Sequence, residues 1–145
     1  MVHQYPNDTV LNKVSVPLAL ATSDLQRNQP AQAVARLETA TPYEFGSEPG
    51  AAHYWVNYIR GEAFLGSKQG AKAAAEYQKI LDHRGVAPQD VTYNLSHLGL
   101  GRAYALEGNT TAAKSAYQDF FAAWKDADPD LPVLKQAKAE YEKLR

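Results

Sequence analysis

Residues 100–104 read Leu-Gly-Arg-Ala-Tyr, and residues 60–64, which lie 40 positions earlier, read Arg-Gly-Glu-Ala-Phe. Residues 20–24, a further 40 positions back, read Leu-Ala-Thr-Ser-Asp in the same register. A small residue therefore recurs at the second position, and an aromatic residue follows it in the two later copies. Recurrence at a fixed period of roughly 20 to 50 residues is typical of repeat architectures.

A second pattern follows each of these segments in the same register. An alanine is followed, four positions later, by a large side chain. These pairs are Ala33 with Leu37, Ala73 with Tyr77, and Ala113 with Tyr117. A turn separates the two patterns at Asn28, Lys68 and Gly108. Spacings of three and four residues place side chains on one helix face, so each unit is predicted to be two helices joined by a turn.

The chain as a whole favours helices. Its 145 residues are about the size of one domain, and no run alternates between apolar and polar residues as a strand would. We predict an all-α, right-handed superhelix that forms a single domain. The predicted parts are repeats at about 13–42, 51–83 and 91–125 and a capping helix at 131–144, within a domain of 1–145. Pro17 lies inside the first predicted helix, where it either kinks the helix or marks its first turn.

The units resemble tetratricopeptide repeats, whose signature is Trp-x2-Leu-Gly-x2-Tyr, then Ala-x3-Phe, then Pro, in about 34 residues. The third unit matches through Leu100, Gly101, Tyr104, Gly108, Ala113 and Tyr117. The second unit matches through Gly61, Phe64, Ala73 and Tyr77. The first unit keeps only Leu20, Ala33 and Leu37.

The units also depart from that signature. The period is 40 residues, and the extra residues are expected in Tyr43–Gly50 and His83–Asp90. The tryptophan position is filled by Pro17, Asn57 and His97, and no proline ends the units at the usual place. The resemblance implies a tetratricopeptide-like superhelix. In it, helix packing depends on Gly61, Phe64, Ala73, Tyr77, Gly101, Tyr104, Ala113 and Tyr117.

A narrower resemblance is carried by Tyr77–Gly85, Gly101–Tyr104, Ala116–Phe120 and Trp124–Asp130. These stretches resemble the C-terminal repeat region of bacterial, notably acidobacterial, eukaryotic-like serine/threonine protein kinases. The kinase motifs themselves are absent from the sequence: the glycine-rich loop, the strand lysine, the His-Arg-Asp loop and Asp-Phe-Gly. The resemblance therefore implies one part of a larger signalling protein, and a part that does not transfer phosphate.

The sequence offers no pattern typical of an active site or a metal site. It has no cysteine, and no two of its histidines, His3, His53, His83 and His97, stand three or four residues apart as helical metal ligands do. The alternating Asp126, Asp128 and Asp130 lack the glycine and glutamate of a calcium loop. We predict no catalytic residue, no metal and no cofactor, and therefore no enzyme.

Charge and hydropathy restrict the partners and the location. The formal net charge of −1 argues against nucleic-acid binding. No apolar run approaches the length of a membrane span, so this segment is predicted to be a soluble domain that does not insert into a membrane. The sequence leaves open whether it lies in the cytoplasm or on the periplasmic side of a membrane-anchored parent.

In the tetratricopeptide family, the first helices line a concave groove that binds peptides. By register, the candidate lining residues are Leu18, Thr22, Leu25, Trp55, Tyr58, Glu62, Leu65, Leu98, Arg102 and Ala105. Trp55 and Tyr58 are candidate anchors, and Arg102 is a candidate handle for a carboxylate. We predict a non-catalytic interaction module that binds a protein or peptide in this groove. The alternative is a self-associating scaffold, such as a homodimer, in which exposed end repeats stack between chains.

Overall fold

The computed structural model describes residues 7–46, 54–87 and 89–144. Of these residues 75% are helical and none lies in a strand, which confirms the prediction of an all-α chain. Within the described ranges there are seven α-helices: α1 (Val16–Gln26), α2 (Pro30–Leu37), α3 (Trp55–Gly66), α4 (Gly70–Asp82), α5 (Val91–Leu106), α6 (Thr110–Ala123) and α7 (Pro132–Glu142). A 3-10 helix, Glu38–Tyr43, follows α2.

The helices pack in the order of the chain. α1 packs with α2, α3 with α4, and α5 with α6, while α2 packs on α3 and α4 on α5. The last helix, α7, covers α5 and α6 through Leu134 and Ala137. Across the described ranges, no helix combines the length and the apolar composition needed to cross a membrane. His3, His53, the predicted start of the second unit at 51 and part of the loop Tyr43–Gly50 lie outside the described residues.

The turns within the three helix pairs have the same backbone geometry. Asn28, Lys68 and Gly108 all have positive φ, at 58°, 55° and 73°. In each unit the backbone N–H of the next residue donates a hydrogen bond to the carbonyl five residues before it. These bonds are Gln29–Asp24 (2.8 Å), Gln69–Phe64 (2.9 Å) and Asn109–Tyr104 (2.9 Å). This is the hydrogen bond that closes a helix with a left-handed residue, so the 40-residue register is present in the structure as well as in the sequence.

Pro17 lies at the second position of α1 and follows a π-helical turn, Leu11–Ser15. Proline has no amide hydrogen, and its ring crowds the carbonyl four residues earlier, which widens the helix. That carbonyl belongs to Lys13, and it accepts a hydrogen bond of 3.1 Å from the Thr39 hydroxyl. The proline therefore frees a carbonyl that the 3-10 helix after α2 uses.

The buried ring of Tyr77 lies between glycines of two successive units. A Cβ atom built on Gly61 would lie 2.7 Å from Tyr77 Cζ, and one built on Gly99 would lie 2.4 Å from the same atom. In the third unit, a Cβ on Gly101 would lie 2.7 Å from Tyr117 Cδ2. Real Cβ atoms do not approach other carbons this closely, so the helices can meet only because these residues are glycine.

In the first unit, an alanine and a leucine stand at the positions that a glycine and a tyrosine have in the later units. Ala21 and Leu37 stand in register with the Gly–Tyr pairs and share the core between α1, α2 and α3. The other predicted packing residues are buried or half-buried: Ala73 and Ala113 are completely buried, and Phe64 and Tyr104 pack against the core around Tyr77. In the first unit, Leu37 occupies less space than the tyrosine of the later units, so the methyl group of Ala21 fits into the core beside it.

Candidate functional site

An open groove of about 600 Å³ lies between α1 and α3. Its lining residues are Ser15, Leu18, Ala19, Thr22, Ser23, Gln26 and Trp55. Leu18, Thr22 and Trp55 are three of the residues that the repeat register predicts for the inner wall. None of the lining side chains carries a charge, and five of the seven positions are small or polar. The groove can therefore contact an uncharged ligand without desolvating an ion.

Trp55 is the exposed aromatic of this groove, with 40% of its surface accessible. Its ring meets the edge of Tyr58, with the ring centroids 6.0 Å apart, and Tyr58 packs in turn on Tyr77 at 5.9 Å. Burial, followed by the nearby Glu62 carboxylate, raises the pKa of Tyr58 well above its usual value of 10.0. Tyr58 thus supports Trp55 from the core as a neutral phenol, while Trp55 presents its free surface to the groove.

Glu62 and Leu65, two further predicted lining residues, are turned toward partners within the chain. Glu62 accepts a hydrogen bond of 2.6 Å from the Tyr77 hydroxyl. Leu65 is half-buried against the core around Tyr77. Leu25 is half-buried against the core of the first unit, and Ala105 is half-buried as well. None of these four side chains lines the groove beside Trp55.

The prediction of Arg102 as a handle for a ligand needs correction. Its guanidinium already binds Glu140 of α7, with Nε donating to Oε2 at 2.9 Å and Nη2 donating to Oε1 at 3.2 Å. The Tyr117 hydroxyl donates to the same carboxylate at 2.9 Å. Two parallel bonds from one guanidinium form a strong and directional pair. The positive charge of Arg102 therefore holds the capping helix.

The prediction that Leu98 lines an open groove is wrong. Leu98 is 2% exposed and packs with Leu134 and Ala137 of α7. α7 thus covers Leu98, whereas Leu18, at the same repeat position in the first unit, lines the open groove. Of the predicted lining residues, Leu18, Thr22 and Trp55 line the open groove between α1 and α3.

The carboxylate that docks α7 makes the stability of this helix depend on pH. Partial burial acts to raise the pKa of Glu140, but hydrogen bonds from Arg102, Gln136 and Tyr117 outweigh it and lower the pKa below 4.5. A pKa that is lower in the folded state means that the ionised carboxylate stabilises the fold above the unfolded value. This stabilisation is lost as the pH falls through the folded value.

We expect the melting temperature to fall as the pH is lowered from about 5 to about 3, in part through Glu140. Glu140→Gln should lower the melting temperature at neutral pH and should show a smaller further loss in acid. The matched control is Glu142→Gln, since Glu142 is an exposed carboxylate on the same helix. Thermal melts followed by circular dichroism measure this. Parallel pH profiles for Glu140→Gln and the wild type would contradict the assignment.

Sequence reasoning missed a buried ionic cluster centred on Arg60. The Arg60 Nη1 atom donates to Glu44 Oε1 at 2.5 Å and to Glu76 Oε2 at 3.2 Å. Its Nη2 atom donates to the Leu37 carbonyl at 3.0 Å and to the Thr41 hydroxyl at 3.1 Å. The three charged side chains are each 10% exposed or less. The cluster therefore joins the end of the first unit to both helices of the second.

Two further residues complete this cluster. The Asn57 amide donates to both carboxylates at 3.0 Å, and Lys79 Nζ lies 2.9 Å from Glu76 Oε1. The sequence does contain a signal for the cluster, since Arg60 stands where the other two units have Leu20 and Leu100. A charged residue at a repeat position that is otherwise apolar indicates a local partner.

The two described histidines occupy structural positions. His83 stacks on Phe45 with a centroid distance of 4.0 Å and a ring angle of 6°. His97 meets the edge of Tyr93 at 5.9 Å, and burial lowers its pKa below 6.5 despite the opposing charge of Asp119. Among the residues that the structure describes, no group of three or more His, Cys, Asp or Glu side chains could hold a metal ion.

Comparison with known proteins identifies no relative of this chain. No family model, no curated protein and no solved structure matches it. The groove beside Trp55 is open, and Trp55 keeps 40% of its surface accessible there.

Proposed function

We propose that this protein is a non-catalytic protein–protein interaction module that binds a peptide segment in the groove between α1 and α3. The observation that carries the proposal is the exposed Trp55 on the wall of an uncharged groove. Tryptophan is among the residues that contribute most to binding energy at protein interfaces. Its supporting ring, Tyr58, is half-buried, so the anchor is held in place before a ligand arrives.

The chemistry of the groove specifies the kind of peptide. Ser15, Thr22, Ser23 and Gln26 offer hydroxyl and amide groups. The Thr22 hydroxyl already donates to the Leu18 carbonyl at 2.9 Å, so its oxygen is free to accept a peptide N–H. Because the wall carries no charge, we expect the ligand to be a peptide segment with an apolar side chain that packs against Trp55. The backbone N–H and C=O groups of this segment that lack a partner within the peptide lie beside the polar side chains of α1.

The proposal includes a tetratricopeptide-like superhelix and a larger, kinase-type bacterial signalling protein as the parent. The superhelix is supported by the 40-residue register, which the sequence motifs and the left-handed turns share. The kinase-type parent rests only on the sequence resemblance of Tyr77–Gly85, Gly101–Tyr104, Ala116–Phe120 and Trp124–Asp130. In such a superhelix the first helix of each pair forms the inner wall. The groove beside α1 and α3 is consistent with that placement.

Trp55→Ala should weaken peptide binding by more than about tenfold, because the largest apolar contact of the groove is removed. The probe is a set of peptides selected from a random phage-displayed library on the wild-type protein. The matched control is Tyr43→Ala, which removes an aromatic of equal exposure, 41%, that does not line the groove. Isothermal titration of each variant with the selected peptides measures the difference.

A second readout does not depend on loss of binding. The chain has two tryptophans, and Trp124 packs on Phe120 in the C-terminal core. In a Trp124→Phe variant, Trp55 is the sole indole fluorophore, and its emission should shift to shorter wavelength when a peptide covers it. Selected peptides that bind Trp55→Ala as tightly as the wild type, and that leave this emission unchanged, would refute the proposed groove.

A further inference from the structure

One face of α1 is exposed although its equivalents in the other two units are buried. Leu20 is 43% exposed, whereas Arg60 and Leu100, at the same repeat position, are 6% and 5% exposed. The difference cannot come from the residue type alone, because the first and third units both have leucine. It reflects a neighbour that the later units have and that α1 does not have within the described residues.

The same contrast extends along the helix. Val16 and Ser23 are half-exposed and Ala19 is exposed. Their equivalents in the later units are all buried: Val56, Ile59, Ala63, Ser96, Gly99 and Ala103. Residues 16, 19, 20 and 23 are spaced by three and four, so they form one continuous face, which we call the α1 stripe. In the later units this face is covered by the second helix of the preceding pair.

The charges of the two ends of the molecule determine which occupant fits the α1 stripe. The stripe has no ionisable side chain, and the only one in α1 is Asp24, which is buried and paired with Arg36. At the other end, α7 exposes Lys135, Lys138, Glu142 and Lys143. Head-to-tail stacking would desolvate these charges against an apolar face without pairing them. Two copies of the stripe can meet without that cost.

The sizes of the side chains are also self-complementary. A two-fold axis places the same surface on both partners, so each protruding residue needs a recess on the same face. Leu20 protrudes, and the neighbouring Ala19 and Ser23 are small. We propose that two copies of this chain form a two-fold symmetric dimer, with the α1 stripes antiparallel and Leu20 of each copy packed over Ala19 and Ser23 of the other. Ala19 and Ser23 also line the proposed peptide groove, whereas Val16 and Leu20 do not, so the dimer contact covers the edge of that groove and competes there with a bound peptide.

Leu20→Lys should convert the dimer into a monomer, since it removes a buried leucine and places two positive charges near the axis. We expect the dissociation constant to rise by more than about tenfold. The matched control is Leu106→Lys, because Leu106 is also 43% exposed but lies at the end of α5, away from the stripe. Sedimentation equilibrium of the wild type and both variants measures the association.

A charge-pairing experiment tests the symmetry itself. Leu20→Glu should also be monomeric alone, but an equimolar mixture with Leu20→Lys should form a heterodimer, because the axis brings position 20 close to its own copy. A mixture that stays monomeric would overturn the two-fold arrangement. Two results would overturn the dimer: a wild type that is monomeric at high micromolar concentration, or a Leu20→Lys variant that dimerises as well as Leu106→Lys. Either result would mean that a different protein or chain segment covers the α1 stripe.

Discussion

Arg60→Leu should destabilise the protein by about 3–5 kcal/mol, although it installs the residue that the first and third units have at this position. The repeat pattern alone predicts a harmless change. The structure predicts the opposite, because Glu44 and Glu76 would remain buried without the guanidinium that binds both of them. Lys79, whose side chain is 43% exposed, lies near the same carboxylates and compensates only in part.

The origin of this loss can be tested by removing the carboxylates as well. In the triple variant Arg60→Leu, Glu44→Gln, Glu76→Gln, no buried charge is left uncompensated, so stability should recover relative to Arg60→Leu alone. Lys135→Ala is the control for an exposed pair, since Lys135 and Asp130 are 61% and 82% exposed, and it should cost under about 1 kcal/mol. Urea titrations give these differences. A stable Arg60→Leu variant would mean that the cluster does not contribute to folding.

Gly99→Ala should destabilise the protein by roughly 1–3 kcal/mol, although alanine is the better helix former by about 1 kcal/mol. The added methyl carbon would stand 2.4 Å from Tyr77 Cζ. The Tyr77 ring cannot move away from Gly99, because Gly61 of α3 lies against it and its hydroxyl donates a hydrogen bond to Glu62. The substitution must therefore separate α4 from α5 or strain the ring.

Two variants separate overpacking from a general sensitivity to mutation. Gly85→Ala is the control, because a Cβ at Gly85 meets no atom within 4 Å, and it should change stability little. Combining Gly99→Ala with Tyr77→Leu replaces the tyrosine ring by a smaller side chain and so makes room for the added methyl group, and the two losses should therefore be less than additive. Additive losses in chemical denaturation would indicate that the two side chains do not share one space.

The sequence by itself determined the helices, their pairing and the turns between them. These features depend on residues close together in the chain: apolar spacings of three and four, and left-handed residues at Asn28, Lys68 and Gly108. The sequence also located Gly101, the glycine that lies against Tyr117, because the second and third units have glycine and tyrosine at the same two repeat positions. Local interactions and internal periodicity are readable without knowing where distant segments lie.

Only the tertiary structure decided which of the residues predicted to line the groove are free. Trp55 is open, while Arg102 is bound by Glu140, 38 residues later in the chain, and Leu98 is buried under α7. The Arg60 cluster likewise depends on Glu44, a carboxylate from the connection between two units. The residues that meet in these contacts are not related by the three- and four-residue spacing of a helix face. Their partners are fixed by the way whole helices pack, and this is why the register predicted a set of lining residues but not which of them are exposed.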